Sequence, residues 1–495
     1  MPKNPQRSHA GKLFNQTIIY GIGLVLNRFL GFLLIPLYTN YFSPADWGLY
    51  NLIFSIWLFL GVIYTLGLEN SFVKFFIEEK SIEGKKEIFS STIFVLTITS
   101  ILFSILLFLN AESIISLFNF ENKPAALKLF KLLTVLLIAD NLNRIPLLSL
   151  RAQAKAKIYT YFTLFTLVIN TALNFYFVIF LKLGIESILY SSIISTFISL
   201  AAGLIINKEF IRLSVSVKKT KALLAFGNKF IYAGIFLLMI DISDRFFLKY
   251  FFDESVVGIY SACYRLGTVM SLMISAYKFS WTPYFLNIQK EADNKNIISG
   301  IFTKFIFLGA FLFLAFSFLI EPVVKINFSG FYIIQQSYWA GLVIIPFILL
   351  AYFFSGLYST LTVAPFFANK TGYLLINVII GFAINTILNI LLIPKYSYIG
   401  AALATLFTFV SITILLFFQT IRIYELIFEK RKILIITGVS VLLYLIFYIF
   451  KSINYSVIPQ IIAALALLLI YILICRKYKI ADFFKIPRNL LKESL

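Results

Sequence analysis

Apolar runs of about 20 residues recur from one end of the chain to the other, and a run of that length is what a helix needs to cross the hydrocarbon core of a bilayer. In lipid every backbone N–H and C=O must be bonded within its own segment or a closed barrel, so runs of this length fold as helices. Composition agrees. The 495 residues are 60% hydrophobic, 18% aromatic and only 13% charged, well outside the range of soluble domains. The chain is therefore expected to be an all-α polytopic membrane protein with about fourteen transmembrane helices. They fall near 14–41, 47–70, 88–110, 127–150, 158–181, 185–206, 222–249, 256–285, 297–320, 333–363, 371–394, 398–420, 433–450 and 457–475.

A net charge of +21 raises the possibility of a nucleic-acid partner, but in a membrane protein the position of the bases matters more than their number. With the N-terminus inside, the outer loops hold only Lys123, Lys182, Lys249, Lys325, Lys395 and Lys451. Most other Lys and Arg lie in the inner segments, so the charge reads as topology, both termini face the cytoplasm, and no nucleic acid is implied. The first segment, MPKNPQRSHAGK, is a basic tail, followed by an apolar run too long for a signal-peptide core and expected to remain as the first span. Beyond Cys475, Ile480, Phe483 and Phe484 stand among bases, as in a segment lying on an anionic leaflet of membrane lipids. Two cysteines and one histidine argue against a disulfide framework, a Cys/His metal site or a His-based triad. No cofactor is expected.

The string NTALN at Asn170–Asn174 recurs as NTILN at Asn385–Asn389, each followed by apolar residues, a short basic turn and a glycine. Gly48-Leu49-Tyr50 and Gly258-Ile259-Tyr260 each follow a polar turn near the start of a half. Two landmarks in register point to a duplicated unit. The expected layout is a basic tail over 1–13, an N-lobe over 14–207, a basic linker over 208–221 and a C-lobe over 222–425. A C-terminal helix pair follows over 426–475, then a basic tail over 476–495. Because six spans is an even number, the two pseudo-symmetric lobes should be related by an axis along the membrane normal.

Charges inside apolar runs are costly and mark paths or partners. Arg28 lies about 14 residues into span one, near mid-depth, and Arg265 about 9 residues inside span eight. Neither has a carboxylate three or four positions away, so a cavity for an anionic cargo is the reading they favour, against a cross-helix pair with a carboxylate such as Asp241. Lys278 follows Arg265 on the same span but points about 140° away. Asp140 and Arg144 are four apart on span four, as are Asp241 and Arg245 on span seven, with Asp244 beside them. Each pair can neutralise itself on one helix face; the alternatives are a gate latch, or carboxylates that take up a coupling H⁺ or Na⁺. Glu69, at the end of span two, should be solvated.

The run IPLYTNYFSPADWGLYNLIFSIWLFLGVIYTLGLENSFVKFF from Ile35 resembles the N-terminal signature of the bacterial polysaccharide-biosynthesis flippases, members of the multidrug/oligosaccharidyl-lipid/polysaccharide exporter superfamily. GIYSACYRLGTVMSLMISAYKFSWTPYFL from Gly258 and NTILNILLIPKYSYIGAALATLFTF from Asn385 look like the matching second-half segments. The resemblance implies two six-helix lobes around a central cavity plus two C-terminal helices, in the bacterial cytoplasmic membrane. It implies a cargo of polyprenyl-diphosphate-linked oligosaccharide, a polysaccharide or O-antigen precursor, carried from the inner to the outer leaflet by alternating access. It also implies that arginines on helices one and eight line the cavity, which matches Arg28 and Arg265. A glycan polymerase or glycosyltransferases would be natural partners. Two rivals stand beside this reading. A cation-coupled multidrug exporter of the same superfamily would want buried carboxylates, and a polytopic polysaccharide polymerase or glycosyltransferase would need a larger extramembrane loop than any here.

Overall fold

A computed structural model describes residues 32–212, 215–289, 291, 293–426, 428–453 and 456–478. Arg28, the N-terminal tail, and the C-terminal residues Ile480, Phe483 and Phe484 lie outside the described residues. Residues 32–41 are helical. The long helices that follow are α1 (Pro44–Tyr64), α2 (Leu68–Glu78), α3 (Ile82–Leu109), α4 (Lys123–Ala152), α5 (Ala156–Phe175), α6 (Ser187–Ile206) and α7 (Val217–Phe251). Then come α8 (Glu254–Gly267), α9 (Val269–Ile288), α10 (Asn294–Val324), α11 (Ile345–Leu361), α12 (Gly372–Tyr424), α13 (Lys430–Ile453) and α14 (Val457–Lys477).

Local chemistry sets the boundaries. Ser43 accepts from the Asp46 N–H while Asp46 accepts from the Ser43 N–H, a capping box with Pro44 in the first turn. Ser81, Asn122 and Ser216 cap α3, α4 and α7 in the same way through a side-chain oxygen. Gly67, at φ 67°, supplies the left-handed residue that turns α1 into α2. Within the runs, Ser and Thr hydroxyls donate to carbonyls one turn back, as Thr92 does to Ile88 and Ser191 to Ile188's neighbour Ser187, which hides their polarity from lipid.

Among the described residues nine helices are long and apolar enough to cross a membrane, or ten if α8 and the first part of α9 form one bent span. One break departs from the spans expected of the sequence, and a second falls between two of them. Span eight is broken between Gly267 and Val269 with a 44° bend; a Cβ at Gly267 would run into Ile348, so α8 lies too close to α11 for any larger residue. The 53-residue α12 carries a non-helical Ser397 (φ 51°, ψ −131°) at its middle, and it covers both of the spans expected over 371–420. The helices α4 and α7 are 30 and 35 residues long but carry the charged groups that the next section describes.

The chain forms two compact units, Met1–Ala262 with Thr386–Ala401, and Cys263–Asn385 with Ala402–Leu495. In the first, α1 and α8 cross backbone to backbone. A Cβ on Gly48 would overlap the Glu254 carbonyl, and one on Gly258 would overlap the Pro44 carbonyl. Gly67 and Gly227 make a second crossing of this kind between the α1–α2 corner and α7, where Ser71 donates to the Leu223 carbonyl at 2.7 Å. In the second unit Phe318 stacks on Phe447 at 4.2 Å and Phe307 on Tyr471 at 5.5 Å. Such pairs add to the burial of their own area.

Candidate functional site

Three charged clusters of the first unit lie along α4, α7 and α8, and each joins a local pair to a partner from elsewhere in the chain. Arg144 Nη2 lies 2.9 Å from Asp140 Oδ2, one turn back on α4. Its other amino group donates to Glu69 on α2. Glu69 is thus an ion-pair partner and not a solvated helix end, because the turn at Gly67 swings the start of α2 against α4. Two carboxylates share one guanidinium.

The second cluster centres on Asp244, which is wholly buried. Its Oδ1 accepts from the Arg245 backbone N–H at 2.8 Å and from Arg245 Nη1 at 3.0 Å. Its Oδ2 accepts from the Tyr260 hydroxyl on α8. Arg245 Nη1 also donates to the Asp241 carbonyl at 2.7 Å, and the guanidinium sits 5.8 Å from the Tyr260 ring centre. Each Asp244 oxygen is occupied, so the group ties α7 to α8.

The third cluster lies at the α7–α8 turn. Lys249 Nζ is 2.9 Å from Glu254 Oε1, both nearly buried, and the same oxygen accepts from the Glu121 N–H at 2.9 Å. At the opposite end of α7, Glu79 is held down to about 2 by the backbone N–H and hydroxyl of Ser81 and then by Lys219.

In the second unit Arg265 sits in the last turn of α8, half-buried, three residues before Thr268, whose hydroxyl donates to the Arg265 carbonyl at 2.6 Å. Lys278 is exposed on α9. Neither cation is free of partners. The break in span eight therefore falls beside Arg265, where the free carbonyls of a helix end are bonded by a side chain. Broken helices at membrane depth occur where they are buried in protein or line a cavity.

Each unit also encloses a cavity. That of the first unit, about 290 Å³, lies among α1, α4, α5 and α6 and is lined by Tyr50, Phe54 and Trp57 on one side and by hydroxyls and amides on the other. Thr163, Thr166 and Asn170 repeat at three- and four-residue steps on α5, while Tyr161, Phe165 and Val168 on the opposite face are exposed. Ser192, Ser195 and Ser199 do the same on α6. A search for charges passes over these faces; a search for polar residues at helical spacing would have found them. The cavity of the second unit, about 420 Å³, is walled by α10, α11 and α13 through side chains such as Phe313, Phe347, Phe353 and Leu357. It is almost wholly apolar. Asn170 of the first repeat string donates to Ser195 at 3.1 Å, and Asn385 of the second donates to Thr408 at 3.3 Å. Among the described residues no group of three His, Cys, Asp or Glu side chains could hold a metal ion.

Residues 13–289 match a family described as "Polysaccharide biosynthesis protein". Among solved structures, the fold is similar to that of the lipid II flippase MurJ in an inward closed conformation, with a TM-score of 0.75 at 20% identity over 93% of this chain and 99% of that one. It is also similar to an inward-facing multidrug resistance MATE family transporter of the MOP superfamily, at 0.66 and 13% over 83% and 99%. The MATE transporter VcmN of Vibrio cholerae aligns at 0.56 and 15% over 85% and 98%. No match was found among curated protein sequences.

Proposed function

The chain belongs to the polysaccharide biosynthesis protein family, multi-pass membrane transporters and not enzymes, and on that premise we propose that it is a flippase for a polyprenyl-diphosphate-linked oligosaccharide. The proposed architecture has fourteen spans. Nine are the apolar helices, the bent α8–α9 pair adds one and the break at Ser397 a second, α4 and α7 add two, and the segment that ends at residue 41 is the last. They would form two six-helix lobes and a C-terminal pair in a bacterial cytoplasmic membrane, with both termini inside.

The observation that carries the reading is the position of Arg265, a half-buried guanidinium at a break in an otherwise apolar span. A guanidinium there matches a diphosphate, which it can bind through two parallel hydrogen bonds. Arg28 is its proposed counterpart on the first span, and Lys278 a third cation of the same path. The lobes rock to expose the headgroup to either side while the polyprenyl chain stays in hydrocarbon; the apolar cavity of the second unit suits such a chain. An inside-negative potential drives the anionic headgroup outward with roughly 2.3 kcal/mol per charge for each ~100 mV.

The charged clusters of the first unit act as latches in this scheme. Asp244 has both oxygens engaged by Arg245 and Tyr260, so a coupling H⁺ or Na⁺ would have to displace one of them. Asp140 and Arg144 with Glu69 hold α4 to α2 in the same sense, while the Asp241 carbonyl orients Arg245 within α7. The test is Arg265→Ala and Arg28→Ala in cells lacking the wild-type protein, scored by surface glycan. Loss of glycan at normal protein level is expected; wild-type glycan from both variants would refute the diphosphate path.

A further inference from the structure

The cavity of the first unit has a wall chemistry unlike that of a phosphate site. Four of its hydroxyls, those of Thr163, Thr166, Ser192 and Ser195, are turned back on their own helices. Thr163 donates to the Tyr159 carbonyl at 3.0 Å, Thr166 to Phe162 at 3.0 Å and Ser192 to Ile188 at 2.8 Å. A hydroxyl that spends its hydrogen on its own helix has only lone pairs left to offer. Asn170 likewise spends its amide on Ser195. The wall is therefore rich in acceptors, and the one full charge that reaches it, Asp140, is a carboxylate already held by Arg144. An anion such as a diphosphate brings only acceptors of its own and finds no cation to meet it here.

Facing this wall is a ladder of rings on α1. Tyr50 and Phe54 stack at 5.9 Å and Phe54 and Trp57 at 5.1 Å between ring centres. Phe54 lies between Tyr50 and Trp57, so Trp57 is the end of the ladder and keeps one ring face clear of it; its indole N–H is buried, and it meets a ligand through the ring. The complement to these two walls is a molecule with several O–H donors around its rim and an apolar C–H face to lie on that ring. That is a sugar ring. About 290 Å³ holds a ring or two and not an extended glycan.

We propose that the cavity of the first unit is a subsite for one neutral sugar residue of the cargo, with Trp57 as its platform and Thr163, Thr166, Ser192 and Ser195 as its acceptors. This rests on the flippase reading. It divides recognition in two: cations bind the diphosphate, and this cavity reads the glycan.

Binding to the purified full chain in lipid nanodiscs, with two probes, tests the division. One probe is the lipid-linked oligosaccharide fraction extracted from host cells that lack this chain; the other is a polyprenyl diphosphate with no sugar. The wild type should prefer the sugar-bearing probe by about ten-fold, the worth of one or two good hydrogen bonds. Trp57→Ala should erase that preference and leave affinity for the bare diphosphate unchanged. The double variant Thr163→Val with Thr166→Val keeps the wall's shape, so it should fold and show the same loss, while Trp57→Phe should keep most of the preference. Equal binding of both probes by the wild type, or a preference that survives in Trp57→Ala and in the double variant, overturns the subsite. A folded wild type that binds neither probe overturns the flippase reading along with it, so the two failures are told apart.

Discussion

Each unit has its own cavity, and one carries hydroxyls and amides among its rings and leucines while the other is almost wholly apolar and rich in phenylalanine. Both units use stacked rings and ion pairs, but they place them differently. The first has backbone crossings at Gly48, Gly258 and Gly67 and the buried pairs of Asp244 and Glu254; the second has the Phe318–Phe447 stack and the pairs of Glu321 with Lys325 and Lys451. The repeated NTxLN strings nevertheless make like contacts, an asparagine donating to a hydroxyl further along the chain. Two like strings can keep such helix-joining contacts while the cavity walls near them differ, because a contact between two helices constrains only the residues that make it.

The largest expected effect breaks the contrast at its glycines. Gly258→Leu drives a side chain into the Pro44 carbonyl, and a backbone atom cannot rotate aside, so the cost should exceed the usual overpacking range of about 1–3 kcal/mol. Little folded protein should be recovered by size-exclusion chromatography in detergent. In the second unit a Cβ at Gly438 of α13 meets nothing within 4 Å. Gly438→Ala should therefore leave the thermal midpoint unchanged or raise stability by up to about 1 kcal/mol. Normal folding of Gly258→Leu would remove the crossing from the account of how the first unit is held.

A middle effect addresses the rings. Phe318 is wholly buried and stacked on Phe447, so Phe318→Ala should cost about 3 kcal/mol. The thermal midpoint should fall accordingly, with the ion-paired first unit's sugar preference intact. A midpoint equal to wild type would mean that the second unit does not depend on its ring contacts.

The smallest effect is set by acid. Glu79 is lowered to about 2 by Ser81 and Lys219, against about 4.3 when unfolded. A lowered carboxyl contributes stability that is complete above the unfolded value and fades as pH falls toward the folded one. The wild type should lose this contribution between about pH 4 and pH 2, and Glu79→Gln should lack that part of the acid dependence. The group is partly open to solvent, so the shift in midpoint should be small. Identical acid profiles for the two proteins would show that the pair does not stabilise this end of the unit.

Much of the site was open to a reader of the sequence, for a reason that can be stated residue by residue. Asp140 and Arg144 pair because four residues is one turn, whatever surrounds the helix. The same rule shows Thr163, Thr166 and Asn170 on one face, and only attention to charge kept them from notice. Glu69 could not be assigned, since its partner lies 75 positions away and is reached through the corner at Gly67. The Tyr260 bond to Asp244 was hidden for the same reason. Nor does YRLGTVM announce a break: it has no proline, and a glycine in a membrane helix is ordinary.

The sequence by itself determined that the chain is helical and lies in a membrane, and that certain charges share a helix face. These follow from rules that act within one segment: lipid supplies no hydrogen bonds, and a helix turn is short. Tertiary structure alone decided where span eight breaks, that Glu69 joins Asp140 on Arg144 and Tyr260 joins Arg245 on Asp244, and that hydroxyls line one cavity while the other is almost wholly apolar. Each of those depends on which helices meet and how closely, and that is settled by the fit of whole surfaces far apart in the chain.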